Sequence, residues 1–442
     1  MFRVSEKKIL NLLLFSSLLG LVMGLLGISV TLLCRTTGGI EDMALYYWSL
    51  SGHGFSMLVL WVPSIVLYFL VIENKNILNN KNYRFVFFLG LILFFISQLF
   101  ILVAYLFPKE TQLSRFILTP SSRLMIGFFL VNSFSQVILF FSFSFSLASL
   151  LKAEKEKKIR MSLYLGVFVS ITFALSAGFS NVFLQRGFWQ DEWSDHLWLP
   201  LGHFSMQAIT MILFHLWSLR FVKDQEQFYK TRIFLYLAYP VFVFLGYIHL
   251  LPELFKVNAI GYWDDHYVWI PAISSMFFTV YLSYNAFRFF KKENIFYVLS
   301  FLIFSIVGGL TGLKIVTDTL FKTLVLGTLF MPGHFHPLLL GGFSMSMIFY
   351  LYEKNLNNLK QVKLKNFLFA SLLLGVLSFS SLLMYLGFGR SLRRYPFLVD
   401  PKLTFFSWSL FILAGLTIVS LLFLVFRYFY INFRSTSKKN EF

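Results

Sequence analysis

Along this chain, long apolar runs alternate with short polar stretches on a spacing too long for the helices of a soluble domain. Runs near 20 residues, the length a helix needs to cross the hydrocarbon of a bilayer, fall at approximately 9–33, 46–72, 85–106, 124–150, 161–184, 195–219, 233–254, 268–287, 295–313, 324–351, 367–388 and 403–426. Each is expected to be a membrane-spanning helix, about twelve in all. The first follows "MFRVSEKK" and reads as a retained helix rather than a cleaved leader. Connections are short and contain no low-complexity linker, so the pattern predicts one all-α polytopic membrane domain over residues 1–442. No internal repeat of the kind found in common transporter folds is visible.

Composition agrees with that pattern, because 57% of the 442 residues are hydrophobic and only 13% are charged. The 58 phenylalanines read as lipid-facing and packing surface. A net charge of +18 suggests nucleic acid until its placement is considered. The basic clusters are "MFRVSEKK", "NKNILNNKNYR", "LKAEKEKKIR", "RFVKDQEQFYKTR", "RFFKKEN", "EKNLNNLKQVKLK" and "FRSTSKKN". On the expected topology they occupy both termini and every even-numbered connection, which is one side of the membrane. The positive-inside rule makes that side cytoplasmic, as in a bacterial-type inner membrane with both termini inside. The charge is a topology signal, and a nucleic-acid partner is excluded. The opposite face carries "GIEDM", "QDEWSD", "WDDH" and "VDPK". Cys34 is the one cysteine, so there is no disulfide framework, no zinc motif and no attachment site for covalent haem.

Histidine is costly in hydrocarbon and marks functional sites there. Of the eight histidines, five share an outer-leaflet depth on the expected topology. They are His53 in "SGHGFSML", His203 in "DHLWLPLGHFSMQ", His266 in "YWDDHYVWI", and His334 and His336 in "FMPGHFHPLLLGG", two to three turns inside the tenth span. Positions two apart on a helix point about 200° apart, so His334 and His336 face opposite sides and cannot share one metal. Each can hold a separate flat macrocycle through an axial imidazole. His53 is then available as a second axial ligand to one of them. His196, His215 and His249 read as ordinary hydrogen-bonded histidines.

With these stretches in hand, the sequence resembles the haem-bearing subunit I of the haem–copper oxidase superfamily, which includes nitric oxide reductases. "SGHGFSM", "DHLWLPLGH", "VGGLTG" (Val307–Gly312), "GHFH" and "RRYP" (Arg393–Pro396) follow the family's order over about residues 50–400. The resemblance implies the twelve-helix subunit I bundle. It implies that His53 and His336 bind a low-spin haem, that His334 binds a high-spin haem, and that Arg393 and Arg394 hold haem propionates. It makes His203 a ligand of the second active-site metal. Close-packed glycines at 308, 309 and 312 would let a porphyrin or a helix approach. Lys314 and Asp318, at the outer end of the ninth span, read as an interfacial anchor ahead of a propionate contact.

Departures from the family pattern bear on the chemistry. Where the family usually has a His-His pair, this chain has Asp265 followed by His266. Four residues after His203, where many oxidases have a cross-linked tyrosine and nitric oxide reductases commonly have glutamate, it has Gln207. No lysine or acidic residue stands deep in the cytoplasmic half of a span. His203, His266 and Asp265 together would be two imidazoles and a carboxylate, a set typical of non-haem iron rather than copper. Asp265 can equally orient a ligand imidazole or line an outer proton route with Glu192, Asp195 and Asp264. The expected activity is reduction of NO at a high-spin haem and a non-haem iron, with copper and O2 the alternative. A haem-binding relative without catalysis is the reading from another class. Electrons are expected from a partner subunit with haem c or a cupredoxin centre, or from quinol.

Overall fold

A membrane interior reverses the usual partition of side chains, because lipid tails accept apolar surface while unpaired polar groups must find partners inside the protein. The computed structural model describes residues 6–37, 43–73, 81–106, 123–153, 295–325, 327–345 and 359–389, with scattered positions between 164 and 178, 280 and 289, and 408 and 426. The described residues are helical except at junctions near Asp318, Gly327 and Gly389. They fall into two compact units.

The first unit is built on α1 (Glu6–Thr37), α2 (Met43–Phe55), α3 (Val62–Glu73), α4 (Lys81–Leu106) and α5 (Arg123–Ala153). A π-helical segment, Ser56–Trp61, joins α2 to α3. Pro63 explains it, since proline donates no amide hydrogen and its ring crowds the carbonyl four residues back. On α4, Phe85, Leu89, Ile92, Ile96, Leu99 and Val103 form an exposed stripe. Their spacing of three and four residues keeps them on one face. The same helix turns Ser97 and Gln98 inward, where both are buried.

Those inward groups take part in one closed ring and one chain of hydrogen bonds. Ser16 Oγ donates to Gln98 Oε1 at 2.5 Å, Gln98 Nε2 donates to Ser64 Oγ at 3.3 Å, and the Ser16 and Ser64 hydroxyls are 2.9 Å apart. Ser16 has one proton and gives it to Gln98, so Ser64 donates to Ser16 and the ring closes. Asn132 Nδ2 donates to Ser97 Oγ at 2.8 Å, and Gln136 Nε2 donates to Asn132 Oδ1 at 2.7 Å. Four helices are tied through groups that lipid could not satisfy.

The second unit is built on α6 (Ile295–Thr317), α7 (Thr319–Val325), α8 (Phe330–His336) and α9 (Leu359–Phe388), with a second π-helical segment at Pro337–Met345. The tenth span, expected as one run over 324–351, is divided. Gly327 adopts φ 77°, a conformation open to glycine, and turns the chain between α7 and α8. Thr328 finishes the turn by donating to the Val325 carbonyl at 2.7 Å and accepting the Phe330 amide at 3.2 Å. His334 therefore stands about one turn inside α8 rather than two to three turns inside a continuous helix. Phe321, Phe330 and Phe388 meet edge to face, with centroids 5.0–5.6 Å apart, and pin α7 and α8 to the end of α9.

At the α6–α7 junction, Lys314 and Asp318 pair with each other at 2.5 Å. The Lys314 ammonium also lies 5.8 Å from the Phe321 ring centroid. The Lys314 hydrogen bond, helped by the Phe321 amide, holds the exposed Asp318 carboxyl below its usual range. The Lys314 side chain is 56% exposed and that of Asp318 34%.

By length and composition, Lys8–Cys34, Leu130–Ser149 and Asn366–Phe388 are each apolar enough to cross a membrane. The spans expected at 195–219 and 233–254, most of those at 268–287 and 403–426, and part of that at 161–184 lie outside the described residues.

Hydrogen bonds between membrane helices contribute about 0.6 kcal/mol on average and about 1.7 at most. Gln98→Leu removes two of them, so it should lower unfolding free energy in detergent by about 1–2 kcal/mol. Leu99→Ala, on the lipid face of the same helix, should change it by less than about 0.5 kcal/mol. Equal losses at the two positions in a denaturation titration would show that the polar ring does not hold the helices.

Candidate functional site

Three of the candidate ligands fall among the described residues, and each has its ring Nδ1 against an oxygen. His53, near the end of α2, has Nδ1 2.8 Å from the carbonyl of Gly24 on α1. The helices reach that distance because α1 carries glycine where they meet. A Cβ on Gly27 would stand 2.8 Å from Ser49 O and 2.9 Å from His53 N. A carbonyl only accepts, so in the neutral ring Nδ1 carries the hydrogen and Nε2 the lone pair.

His336 reaches the same state by a local route. Its Nδ1 is 2.6 Å from the carbonyl of Pro332, one turn back. Its ring stands edge-on to Phe379 of α9, with centroids 5.3 Å apart. Pro332 sits in the first turn of α8, where a missing amide hydrogen costs nothing. Pro337 follows His336 directly and brings in the second π segment. Both π segments thus begin within three residues of a candidate histidine, a placement π-bulges often have at functional sites.

His334 points the other way, toward α6, and is buried. Its Nδ1 is 2.9 Å from Thr311 Oγ1, and Thr311 Oγ1 is 2.6 Å from the Val307 carbonyl. The ring lies against Gly312, where a Cβ would be 2.7 Å from Cε1 and 3.3 Å from Nε2. Behind it, Gly333 brings α8 onto α9, since a Cβ there would be 2.7 Å from Met384 N and 2.9 Å from Ser380 O. One short helix therefore presents one imidazole to α6 and the other to α9.

Axial haem ligation requires a neutral imidazole with its lone pair on one nitrogen and the other nitrogen held by an acceptor. His53 and His336 meet it through carbonyl acceptors, and His334 meets it through the Thr311 hydroxyl, so these residues fit the group. Among the described residues no cluster of three or more histidine, cysteine or acidic side chains is assembled for a metal ion. His203, Gln207, Asp265, His266, Arg393 and Arg394 lie outside the described residues, as do the outer acids Glu192, Asp195 and Asp264. Sequence reasoning missed Thr311 and Gly24. Thr311 stands among the glycines of "VGGLTG", and Gly24 takes part only through its backbone carbonyl.

Comparison with known proteins settles the family. The model for the family described as cytochrome c and quinol oxidase polypeptide I matches residues 9–418. The chain belongs to this family. It is thereby an oxidoreductase of the haem–copper oxidase superfamily and an integral membrane protein. Subunit I proteins of this family bind haems and a second metal and work with electron-donor partners. Among solved structures, the chain is similar to that of a haem–copper terminal oxidase dimer determined by cryo-EM. The TM-score is 0.62 at 16% identity, over 97% of this chain and 83% of that one. At that identity the likeness concerns the fold, an all-helical subunit I bundle. No curated protein sequence matches the chain.

The close seat of His334 against α6 gives a direct test. Gly312→Val should push the imidazole off its position and lower occupancy of one haem by about 10-fold. A haem-to-protein ratio in the purified variant equal to that of the unmodified protein would show that Gly312 is not part of a ligand's seat.

Proposed function

We propose that this subunit is the catalytic chain of a membrane-bound nitric oxide reductase, converting two NO, two electrons and two protons to N2O and water. The observation that carries the reading is the pair of departures at Asp265 and Gln207, within a chain of established family. Asp265 beside His266, with His203, offers two imidazoles and one carboxylate. That set suits non-haem iron, whereas copper, above all in its reduced state, favours imidazoles alone. Gln207 replaces the tyrosine on which four-electron cleavage of O2 draws for an electron and a proton, and two-electron coupling of NO makes no such demand.

In this reading the chain is one membrane domain over 1–442. His53 and His336 would hold a low-spin haem, His334 a high-spin haem, and His203, His266 and Asp265 the non-haem iron. Bound there, the haems and iron supply the redox chemistry. The protein's own residues keep the ligand imidazoles neutral and aimed. Arg393 and Arg394 neutralise propionates by paired charge-assisted hydrogen bonds. Glu192, Asp195 and Asp264 pass protons inward from the outer surface, and turnover then moves no charge across the membrane. The donor is a partner subunit with haem c or a cupredoxin centre docking on the outer face, and quinol is the other source. The membrane is a bacterial-type inner membrane, with both termini cytoplasmic.

Elemental analysis with a haem assay, followed by NO and O2 electrode measurements, tests this. The reading predicts two haems, one further iron, no copper, and NO consumption faster than O2 consumption. One copper with O2 as the faster substrate would make the protein a terminal oxygen reductase. Two haems without a further metal or turnover would make it a haem-binding relative without catalysis.

A further inference from the structure

The three described histidines differ in what holds Nδ1. For His53 and His336 the acceptor is a backbone carbonyl, which no substitution removes directly. For His334 it is a side chain, Thr311 Oγ1, on a neighbouring helix. Direction follows from proton counting. Thr311 has one hydroxyl hydrogen, and its oxygen is 2.6 Å from the Val307 carbonyl and 3.1 Å from the Gly308 carbonyl. Neither carbonyl can donate. If the hydroxyl gave its hydrogen to His334, two oxygens would face each other at 2.6 Å with nothing between them. The hydrogen therefore goes to the helix carbonyl, and Oγ1 accepts from His334 Nδ1–H. Donation to the carbonyl makes Oγ1 a better acceptor in turn, since linked hydrogen bonds polarise one another.

We propose that Thr311 is the positioning residue of His334, its hydroxyl fixing the ring's tautomer and rotation and setting how strongly Nε2 donates to the high-spin haem. The inference rests on the reading of His334 as that haem's ligand. Gly312 supplies the complementary part, since its bare Cα admits the ring edge while Thr311 fixes the ring's twist. An acceptor at Nδ1 raises the basicity of the opposite nitrogen. A more basic ligand strengthens the iron–nitrogen bond and favours the ferric state, so it lowers that haem's potential. The threonine thereby tunes one haem of the pair and leaves the other alone, because His336 takes its acceptor from its own helix.

The test uses the full-length haem-loaded protein in detergent. The readouts are the iron–histidine stretch of the reduced high-spin haem by resonance Raman spectroscopy and the two haem potentials by redox titration. Thr311→Val keeps the shape and removes the acceptor. It should move the stretch to lower frequency and raise the high-spin potential, leave the low-spin potential unmoved, and Thr311→Ser should restore both values. A stretch lost in His334→Gly yet unmoved in Thr311→Val overturns the inference and leaves the ligand reading standing. A stretch that survives in His334→Gly, or is absent from the unmodified protein, overturns the ligand reading and the inference with it. If Thr311→Val loses the haem, Thr311→Ser and Thr311→Ala decide. A normal stretch in serine with a shifted or lost one in alanine supports the role, and identical behaviour in both overturns it.

Discussion

An imidazole in a membrane interior has two nitrogens and no water to satisfy them. For a histidine that is to bind iron, one nitrogen must be occupied by protein so that the other is presented as a lone pair. Much of the described architecture serves that requirement. Glycines at the α1–α2 contact bring the Gly24 carbonyl within 2.8 Å of His53 Nδ1. Threonine and glycine in consecutive positions of α6 seat His334. Proline in the first turn of α8 sets a carbonyl one turn below His336. In each case a small or special backbone residue on one strand of the packing lets an oxygen reach a ring on another, or on the next turn.

Spacing then separates the two histidines of α8. Placed two residues apart on a helix, they diverge, and the structure shows one ring on α6 and the other against Phe379 of α9. The aromatic contact of Phe321, Phe330 and Phe388 fixes the start of this short helix. Pro337 and the π segment fix its end. α8 runs on without a break into the π segment, since Pro337 keeps helical angles, and its contacts with α7 and α9 set its direction. The orientation of both imidazoles is consequently a property of tertiary packing.

The described helices were largely legible in the sequence. Hydropathy runs reproduce the bounds of α1, α4, α5, α6 and α9 to within several residues, because in lipid the apolar length of a segment is what its function demands. The break at Gly327 was not legible, since the run over 324–351 has no charged residue and one glycine does not by itself signal a turn. The π segments were signalled only by Pro63 and Pro337. The acceptors of His53 and His334 stand 29 and 23 residues away along the chain, and hydropathy carries no information about such pairs. The polar ring of Ser16, Ser64 and Gln98 was hidden for the same reason, as isolated serines in apolar runs look alike whether they meet or not. Family membership was legible from the ordered histidine and glycine motifs, and the match over residues 9–418 supports the superfamily.

The central claim is that the two histidines of α8 serve two different haems. The most direct measurement is the near-infrared magnetic circular dichroism and electron paramagnetic resonance of His334→Gly and His336→Gly, each purified with its haem. The account predicts that His334→Gly loses the high-spin signal and keeps the low-spin one, and that His336→Gly does the reverse. Loss of the same signal in both variants, or of neither, would contradict it.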